Sequence, residues 1–384
     1  MRRVQQRLAK PKKGGGGLDR WLAVLVLLAV IFCIWKFSTP KKGAHRHKHT
    51  KTATVQTEPP LIVVTTQLVT VPVAAPPANM PAAGSPPISP AVGPVTNGFP
   101  RPAHGTLEVQ IALSRAGISC GSLDGALGSQ TRAAIGAFQR KLHLPETDTM
   151  DSNTRPALTL DGPPFTSYVV TSNDLARLQP VSLTWLGKSQ QTALDYETIL
   201  ELVAEKSHAH PKLIKLLNPD ADWTNMVAGT SLVVPAADYP DPDDKAAFIV
   251  ISLSEKTLEA FDENTNLLVH FPCSIARKVE KRPVGVLHVA AIAENPNYTF
   301  DPALFAEEPE AQQIATKLVI PPGPNNPVGT VWISLDKPGY GMHGTPKPED
   351  VGRTESHGCF RLANWNAEYL LKLVWIGLPV YVEE

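Results

Sequence analysis

The stretch that decides the fold of the carboxyl-terminal part of the chain runs from Gly341 to Arg361 and reads GMHGTPKPEDVGRTESHGCFR. It brings two histidines, His343 and His357, and one cysteine, Cys359, within seventeen residues of one another. A neighbouring imidazole lowers the pKa of a thiol, and the thiolate is the nucleophilic form of cysteine. This combination of residue types therefore predicts a cysteine nucleophile with a histidine base.

Two other residues of the stretch fit that interpretation, and two alternatives compete with it. Gly358 allows the backbone to approach a substrate carbonyl closely, and Arg361 can hold an anion or fix the loop. One alternative is a buried structural cysteine with two incidental histidines. The other is a zinc site with three ligands, but the sequence has no fourth ligand at metal spacing. We therefore prefer the nucleophile and predict no metal.

The residues around this stretch, 245–384, predict a mostly-β domain with glycine- and proline-rich loops. A helix is expected from Trp365 to Ile376, with Asn364 as its N-cap and Gly377 just beyond its end. A last strand, PVYVEE, ends the chain. The other β-rich runs are AAFIVISL, KTLEAFD, NLLVHFPCSIA, GVLHVAAIA and TVWISL.

The catalytic stretch resembles the L,D-transpeptidase catalytic domain, the YkuD family. Its signature is a histidine followed later in the chain by [S/T]-H-G-C-x-[R/N], which matches residues 343–361. Three upstream segments are also similar to family segments: Arg282–Gly285, Glu294–Tyr298 and Asn326–Gly329. The resemblance covers about 140 residues and implies the mostly-β fold of that catalytic domain.

The resemblance also implies roles for individual residues. Cys359 matches the nucleophile and His343 the general base, while His357 orients the site or tunes the thiol. Backbone N–H groups around Cys359 would form an oxyanion hole. The positions implied to support the base, the substrate or the oxyanion are Ser356, Gly358, Arg361 and Gly344.

The implied reaction is acyl transfer in peptidoglycan, with no cofactor. Cys359 attacks the third residue of a stem tetrapeptide, D-alanine leaves, and an amine of another stem takes the acyl group from the thioester. This reaction cross-links the cell wall. Two alternatives within the same chemistry are an L,D-carboxypeptidase, which uses water, and an enzyme that attaches a protein to the wall. An alternative of another class is a non-catalytic anchor that binds the wall.

Residues 104–162 predict a small helical domain. A first helix ends at Gly117, and a second begins with Ser129 as N-cap and carries Ile135 and Phe138 on one face. The string DGALGSQTRAAIGAFQ, from Asp124 to Gln139, resembles the peptidoglycan-binding helical domain. The resemblance implies that this unit binds the cell wall.

Residues 165–237 begin and end like strands, TSYVV and TSLVVP, with the helical stretches TALDYETILELVAEK and HPKLIKLLNP between them. The second half resembles a LysM-type glycan-binding module, through Leu217-Asn218-Pro219, Gly229 and the strand that ends at Pro235. Ser172–Leu175 replace the usual Gly-Asp-Thr-Leu, and about twenty-five extra residues follow. Glycan binding and a role as a structural spacer both remain open.

The amino-terminal part predicts a membrane protein. Residues 1–17 form a basic tail, and 18–37 contain the uncharged run WLAVLVLLAVIFCIW between Arg20 and Lys36. We interpret residues 18–37 as a single transmembrane signal anchor, with a cleaved signal peptide as the alternative. Because peptidoglycan lies outside the cytoplasmic membrane, the catalytic domain is expected in the periplasm or otherwise outside that membrane.

Residues 38–103 predict a proline-rich linker, since 56–103 contain twelve prolines and one aromatic residue.

The net charge of zero conceals an uneven distribution: residues 1–55 hold thirteen basic residues and one acid, so the remainder carries 23 basic and 35 acidic residues, a net of −12. That acidity argues against nucleic acid as a partner. The four cysteines are too scattered for a disulfide framework, and we predict that Cys120 and Cys273 are unpaired.

Overall fold

The computed structural model describes residues 98–305, 308–354 and 358–384. This part of the chain packs as one compact unit. The predicted tail, transmembrane segment and most of the linker lie outside the described residues. Within the described ranges, none of the helices combines the length and the apolar character that crossing a bilayer requires.

The first part of the fold is a small helical domain closed by a two-stranded ribbon. Ile111, Leu113 and Ile135 are fully buried between its helices. The last residues of the predicted linker belong to the folded domain. Two of them, Arg101 and Pro102, pair with β2 and so form strand β1. Helix α2 has Gly128 as its N-cap, so Ser129 is its first helical residue and not the cap that we predicted. The elements are β1 (Arg101–Pro102), α1 (Gly105–Arg115), α2 (Ser129–Lys141), α3 (Thr154–Ala157) and β2 (Thr159–Leu160).

The middle part has two antiparallel strands, at its beginning and end, with four short helices between them. The predicted helical stretch TALDYETILELVAEK is helical only from Ile199, because the Thr198 side chain accepts the Glu201 N–H at 3.2 Å and caps the helix there. The insertion after the first helix carries α5. The elements are β3 (Phe165–Val169), α4 (Ser172–Ala176), α5 (Trp185–Ser189), α6 (Ile199–Lys206), α7 (Pro211–Leu217) and β4 (Ser231–Pro235).

The last part is mostly β, as expected from its apolar runs. Its eight-stranded sheet has the order β13-β12-β11-β8-β14-β5-β6-β7, with β12–β13 and β14–β5 parallel and the other pairs antiparallel. A separate hairpin, β9–β10, was not predicted. The strands are β5 (Phe248–Ser252), β6 (Thr257–Phe261), β7 (Leu267–Pro272), β8 (Gly285–Glu294), β9 (Tyr298–Phe300), β10 (Leu318–Ile320), β11 (Val331–Leu335), β12 (Gly341–His343), β13 (Phe360–Arg361) and β14 (Pro379–Glu383).

Helix α8 (Asn364–Leu373) packs on this sheet through Leu370 and Leu373. It ends three residues before Ile376, where we expected its end, because the Leu373 carbonyl accepts the Ala246 N–H at 2.9 Å. Its N-cap is Ala363, so the prediction of Asn364 as N-cap is wrong. The side chain of Asn364 is used in tertiary hydrogen bonds instead, as described below.

The helical domain covers β7, the edge strand of the large sheet. The Ser119 N–H donates to the His270 carbonyl at 2.8 Å, and Lys141 Nζ donates to the Leu268 carbonyl at 3.2 Å. Behind this contact, Glu259 pairs with both Arg140 and His270. An exposed sheet edge is prone to pair with other chains, and here the helical domain protects it.

Candidate active site

The parallel strands β12 and β13 bring the two ends of the predicted catalytic stretch together. Met342 lies opposite Phe360, and His343 lies opposite Arg361. Met342 and Phe360 are buried in the core of the sheet. Because side chains alternate along a strand, His343, Cys359 and Arg361 share the opposite face. The register therefore places a base, a thiol and a cation side by side.

His343 is held as a neutral base. Its exposed fraction is 6%, and its ring stacks on Trp332 with centroids 5.5 Å apart. Nδ1 lies 2.6 Å from the Gly344 carbonyl, which can only accept, so Nδ1 carries the proton and Nε2 keeps its lone pair. Burial lowers the pKa of His343 to about 4, and the charge of Arg361 acts in the same direction.

Cys359 is half-buried, directly before β13, and packs against the apolar cluster of Ala293, Val328 and Trp332. Its Sγ donates to the Gly339 carbonyl at 3.5 Å. Burial raises the pKa of Cys359 to about 11, although a backbone hydrogen bond from Gly341 and the charge of Arg361 act against that rise. At neutral pH the sulfur is therefore a thiol, and the neutral imidazole of His343 has to take its proton as it attacks.

Arg361 and Gly358 complete the described part of the predicted site. Burial lowers the pKa of Arg361. Among the described residues, Arg361 Nε is buried without a hydrogen-bond partner, which suits a group that receives an anion. A side chain added at Gly358 would meet no described atom within 4 Å. Ser356 and His357 lie outside the described residues.

The turn after His343 is fixed by Asn364, a residue that sequence reasoning had assigned only to helix capping. Asn364 is fully buried, and its Oδ1 accepts the Thr345 N–H at 2.9 Å and the Thr330 N–H at 3.4 Å. A Cβ added at Gly344 would lie 2.1 Å from that oxygen. Gly344 is thus needed for the close approach of Asn364 to the turn whose carbonyl orients His343.

We expect Gly344→Ala to destabilise the protein by about 1–3 kcal/mol, the usual cost of overpacking a tight interior. The Asn364 amide must move away from the new methyl group and lose its bond to Thr345. Thermal unfolding measures the effect. Gly162→Ala is the matched control, since its Cβ meets only Arg115 Nη1, at 4.0 Å. Equal melting temperatures for the two variants would contradict this account of Gly344.

The neighbouring parts of the chain border the site on two sides. The hairpin β9–β10 contributes Tyr298, which packs on the cluster beside Cys359. From the middle part, Trp185 of α5 stacks on Phe300 of this hairpin with centroids 4.2 Å apart and donates Nε1–H to Glu308 at 3.0 Å. The insertion in the middle part therefore supports one wall of the site.

The helical domain contacts the other side, along the loop between His343 and Cys359. Gln130 of α2 donates to the Val351 carbonyl at 2.6 Å, and Asp124 pairs with Arg353 at 3.4 Å. Asp124 belongs to the string on which the resemblance of this domain rests. The motif residues thus have a structural use here, in holding the catalytic loop.

Sequence reasoning missed four residues that shape this site: Asn364, Tyr298, Trp185 and Glu205, whose carboxyl group accepts a hydrogen bond from Asn364 Nδ2. Tyr298 was noticed within a family-like segment, but nothing indicated that it would lie near Cys359. Glu205 gave no signal, since a glutamate within a helical stretch usually faces water. Among the described residues, no group of three histidine, cysteine or acidic side chains could hold a metal ion.

Comparison with known proteins agrees with the sequence motifs. Residues 246–382 match the family model of the L,D-transpeptidase catalytic domain, YkuD. Residues 105–158 match a family described provisionally as a peptidoglycan binding domain. The resemblance of residues 165–237 to LysM is not matched by either family model and stays a prediction.

Two relatives carry provisional names as L,D-transpeptidases. YkuD of Bacillus licheniformis is 25% identical over 186 residues, which are 48% of this chain and 93% of that protein. YbiS of Escherichia coli (strain K12) is 29% identical over 169 residues, and the match spans 44% of this chain and about half, 54%, of that protein.

A solved L,D-transpeptidase from Mycobacterium smegmatis aligns with 41% of this chain and 65% of its own length, at 19% identity and a TM-score of 0.29. Residues 246–382 form an L,D-transpeptidase catalytic domain of the YkuD family, and a domain of the peptidoglycan-binding family precedes it in the chain.

Proposed function

We propose that this protein is a peptidoglycan L,D-transpeptidase that cross-links the cell wall through a thioester on Cys359. The observation that carries the proposal is the pairing of β12 with β13, which sets Cys359 beside a buried histidine whose Nδ1 proton is bound to a carbonyl. That arrangement leaves a basic nitrogen on the face that carries the thiol.

In the first step Cys359 Sγ attacks the carbonyl of the third stem residue, and its proton passes to His343 Nε2. The amide C–N bond breaks, and D-alanine leaves with the proton from the imidazolium. In the second step an amine of another stem attacks the thioester and gives a proton to His343. The C–S bond breaks as the new amide bond forms, and the sulfur takes that proton back from the imidazolium to restore the thiol. The thioester divides one difficult amide exchange into two easier steps.

The supporting groups have roles in the same scheme. Backbone N–H groups around His357, Gly358 and Cys359 stabilise the negative oxygen of each tetrahedral intermediate. Arg361 supports the loop or binds a substrate carboxylate. The face shared by His343, Cys359 and Arg361 thus offers a base, a nucleophile and an anion-binding group to one substrate.

The test is mass analysis of purified tetrapeptide muropeptides after incubation with the full-length protein in detergent. We expect dimers together with free D-alanine. Tripeptides without dimers would identify water as the acceptor and replace the transpeptidase by a carboxypeptidase. Folded protein that leaves the tetrapeptides unchanged would refute the proposal.

The other parts of the chain have proposed roles around this activity. Residues 18–37 anchor the protein in the cytoplasmic membrane with the catalytic domain outside, and the helical domain binds wall polymer, while the LysM-like unit either binds glycan or serves as a spacer. The substrate supports this placement, because it exists only outside that membrane. If protease added to intact spheroplasts fails to cleave the catalytic domain, while the same protease cleaves it in lysed cells, the orientation is wrong.

A further inference from the structure

A buried carboxyl group from the middle part of the chain reaches the catalytic domain. Glu205 lies on α6, and the Nδ2 group of Asn364 donates to both of its carboxyl oxygens, each at 3.1 Å. The Tyr196 hydroxyl donates to the same carboxyl at 3.1 Å. Glu205 is 9% exposed and Asn364 is fully buried. This contact therefore lies in the interior, between two parts of the chain.

The contact fixes the orientation of the Asn364 amide. On one side Nδ2 donates to Glu205 and, at 3.3 Å, to the Pro324 carbonyl. On the other side Oδ1 accepts the N–H groups of Thr345 and Thr330. A flipped amide would direct its oxygen at a carboxyl group and a carbonyl, and its NH₂ at two N–H donors. Together with the Pro324 carbonyl and the two N–H groups, Glu205 thus holds the amide with its oxygen towards the turn at Thr345.

That turn also determines the orientation of the catalytic histidine. Thr345 follows Gly344, and the Gly344 carbonyl accepts the Nδ1 proton of His343 at 2.6 Å. A displaced Thr345 would move this carbonyl, and with it both the tautomer and the ring position of His343. The path from Glu205 to the base runs through only Asn364 and two backbone groups.

We propose that Glu205 is a positioning residue for His343, supplied to the catalytic domain by the middle part of the chain. The inference rests on the proposed function, since it assigns His343 the role of base. It gives residues 165–237 a role in catalysis that requires no glycan binding. The same activity would then be lost from a catalytic domain produced without its middle part.

Burying the carboxyl group of Glu205 lowers the stability of the fold. This cost argues that Glu205 has a role besides filling space in the interior. Its described hydrogen-bond partners are an amide and a phenol, not a cation, and the charges of Glu368 and Glu201 also disfavour its ionised form. Burial accordingly raises the pKa of Glu205 to about 8. Burying a carboxyl group without a cation costs free energy that an apolar side chain of similar size does not. Substitution should therefore separate activity from stability.

The experiment compares Glu205→Leu with Glu205→Gln in the full-length protein, with kcat and KM for muropeptide dimerisation as the readout. We expect Glu205→Leu to lower kcat by ~10- to 100-fold with little change in KM, because a misplaced base slows the chemical step. Its melting temperature should fall by only a few degrees, because the Tyr196 hydroxyl loses its acceptor while Asn364 Nδ2 keeps the Pro324 carbonyl. Glu205→Gln keeps an acceptor for Asn364 and should restore kcat to within about threefold.

Glu201→Gln is the matched control. Glu201 lies on the same helix and accepts a hydrogen bond from Asn325 at 2.6 Å, so it joins the same two parts of the chain without reaching Asn364. We expect its kcat to be unchanged. A second comparison combines Glu205→Leu with Asn364→Ala. If Glu205 acts through Asn364, the double variant should be no slower than Asn364→Ala alone.

Three results would overturn the inference. They are full kcat in Glu205→Leu, a loss of kcat that follows the melting temperature, and additive effects in the double variant. The unaltered protein is measured in the same assay, and the variants are compared with it only if it forms dimers. If the unaltered protein itself forms no product, it is the proposed function that fails.

Discussion

Replacing Cys359 with alanine abolishes dimer formation, while Cys120→Ala leaves it unchanged. We expect a loss of at least ~10³-fold, since the thioester requires the sulfur of Cys359. Cys120 and Cys273 are 3% and 0% exposed, and burial raises the pKa of both thiols, so neither can meet a substrate. Mass detection of dimers and of released D-alanine measures the effect.

The fold of the Cys359→Ala variant should be intact. The side chain is only half-buried, and the transfer free energy lost with its sulfur is about 1 kcal/mol or less. A melting temperature close to that of the unaltered protein distinguishes loss of chemistry from loss of structure. Dimers formed by a well-folded Cys359→Ala variant would exclude the thioester mechanism.

Six of the eight strands of the large sheet could be predicted, because their apolar runs are long and their turns carry clear signals. Strands β12 and β13 have only three and two residues and match none of the predicted runs. Asp262 to Asn266, between β6 and β7, is one such turn. The hairpin β9–β10 could not be predicted, since its two strands have three residues each and stand far apart in a segment rich in proline and acid. Trp185, from another part of the chain, packs on these strands, and the local sequence of the hairpin gives no sign of that contact.

The catalytic residues Cys359 and His343 were found from the motif, whereas the residues that orient them were not. Asn364 precedes an apolar helical run, and in sequence that position is typical of an N-cap. The buried amide is instead bound to Thr345 and Glu205, so tertiary structure outweighs the capping preference. The same holds for Arg140 and Glu259, which look like surface charges in the sequence but pair between the helical domain and the sheet.

The unpaired state of Cys120 and Cys273 was predicted and is confirmed by the structure. Cys273 lies directly after β7 and packs in the main core, as its apolar surroundings indicated. The roles predicted for Ser356 and His357 stay predictions. Motifs thus identify which atoms react, while the packing of three sequence segments against one another determines how those atoms are oriented.

Replacing His343 with glutamine should lower kcat/KM by ~10²- to 10⁴-fold, the usual contribution of a positioned base. In the unaltered protein the pKa of His343 is about 4, below its ordinary value of 6.5, because the ring is buried beside Arg361. The base form is the deprotonated one, so the acid limb of the kcat/KM profile should fall near pH 4 and not near 6.5. The unfolded chain binds this proton more readily, so stability also declines as the pH falls from 6.5 towards 4, and folding must be followed at each pH.

The same values predict that the resting site holds a thiol and a neutral imidazole, since burial raises the pKa of Cys359 to about 11. Ultraviolet absorbance of thiolate should therefore be absent at pH 7 and should appear only in alkaline solution. His343→Gln should not change that titration near neutral pH. His104→Gln, at an exposed position of the helical domain, is the control for loss of a histidine. Thiolate absorbance at pH 7 that disappears in His343→Gln would mean that the pair rests as thiolate and imidazolium, and the base would then act before substrate binds.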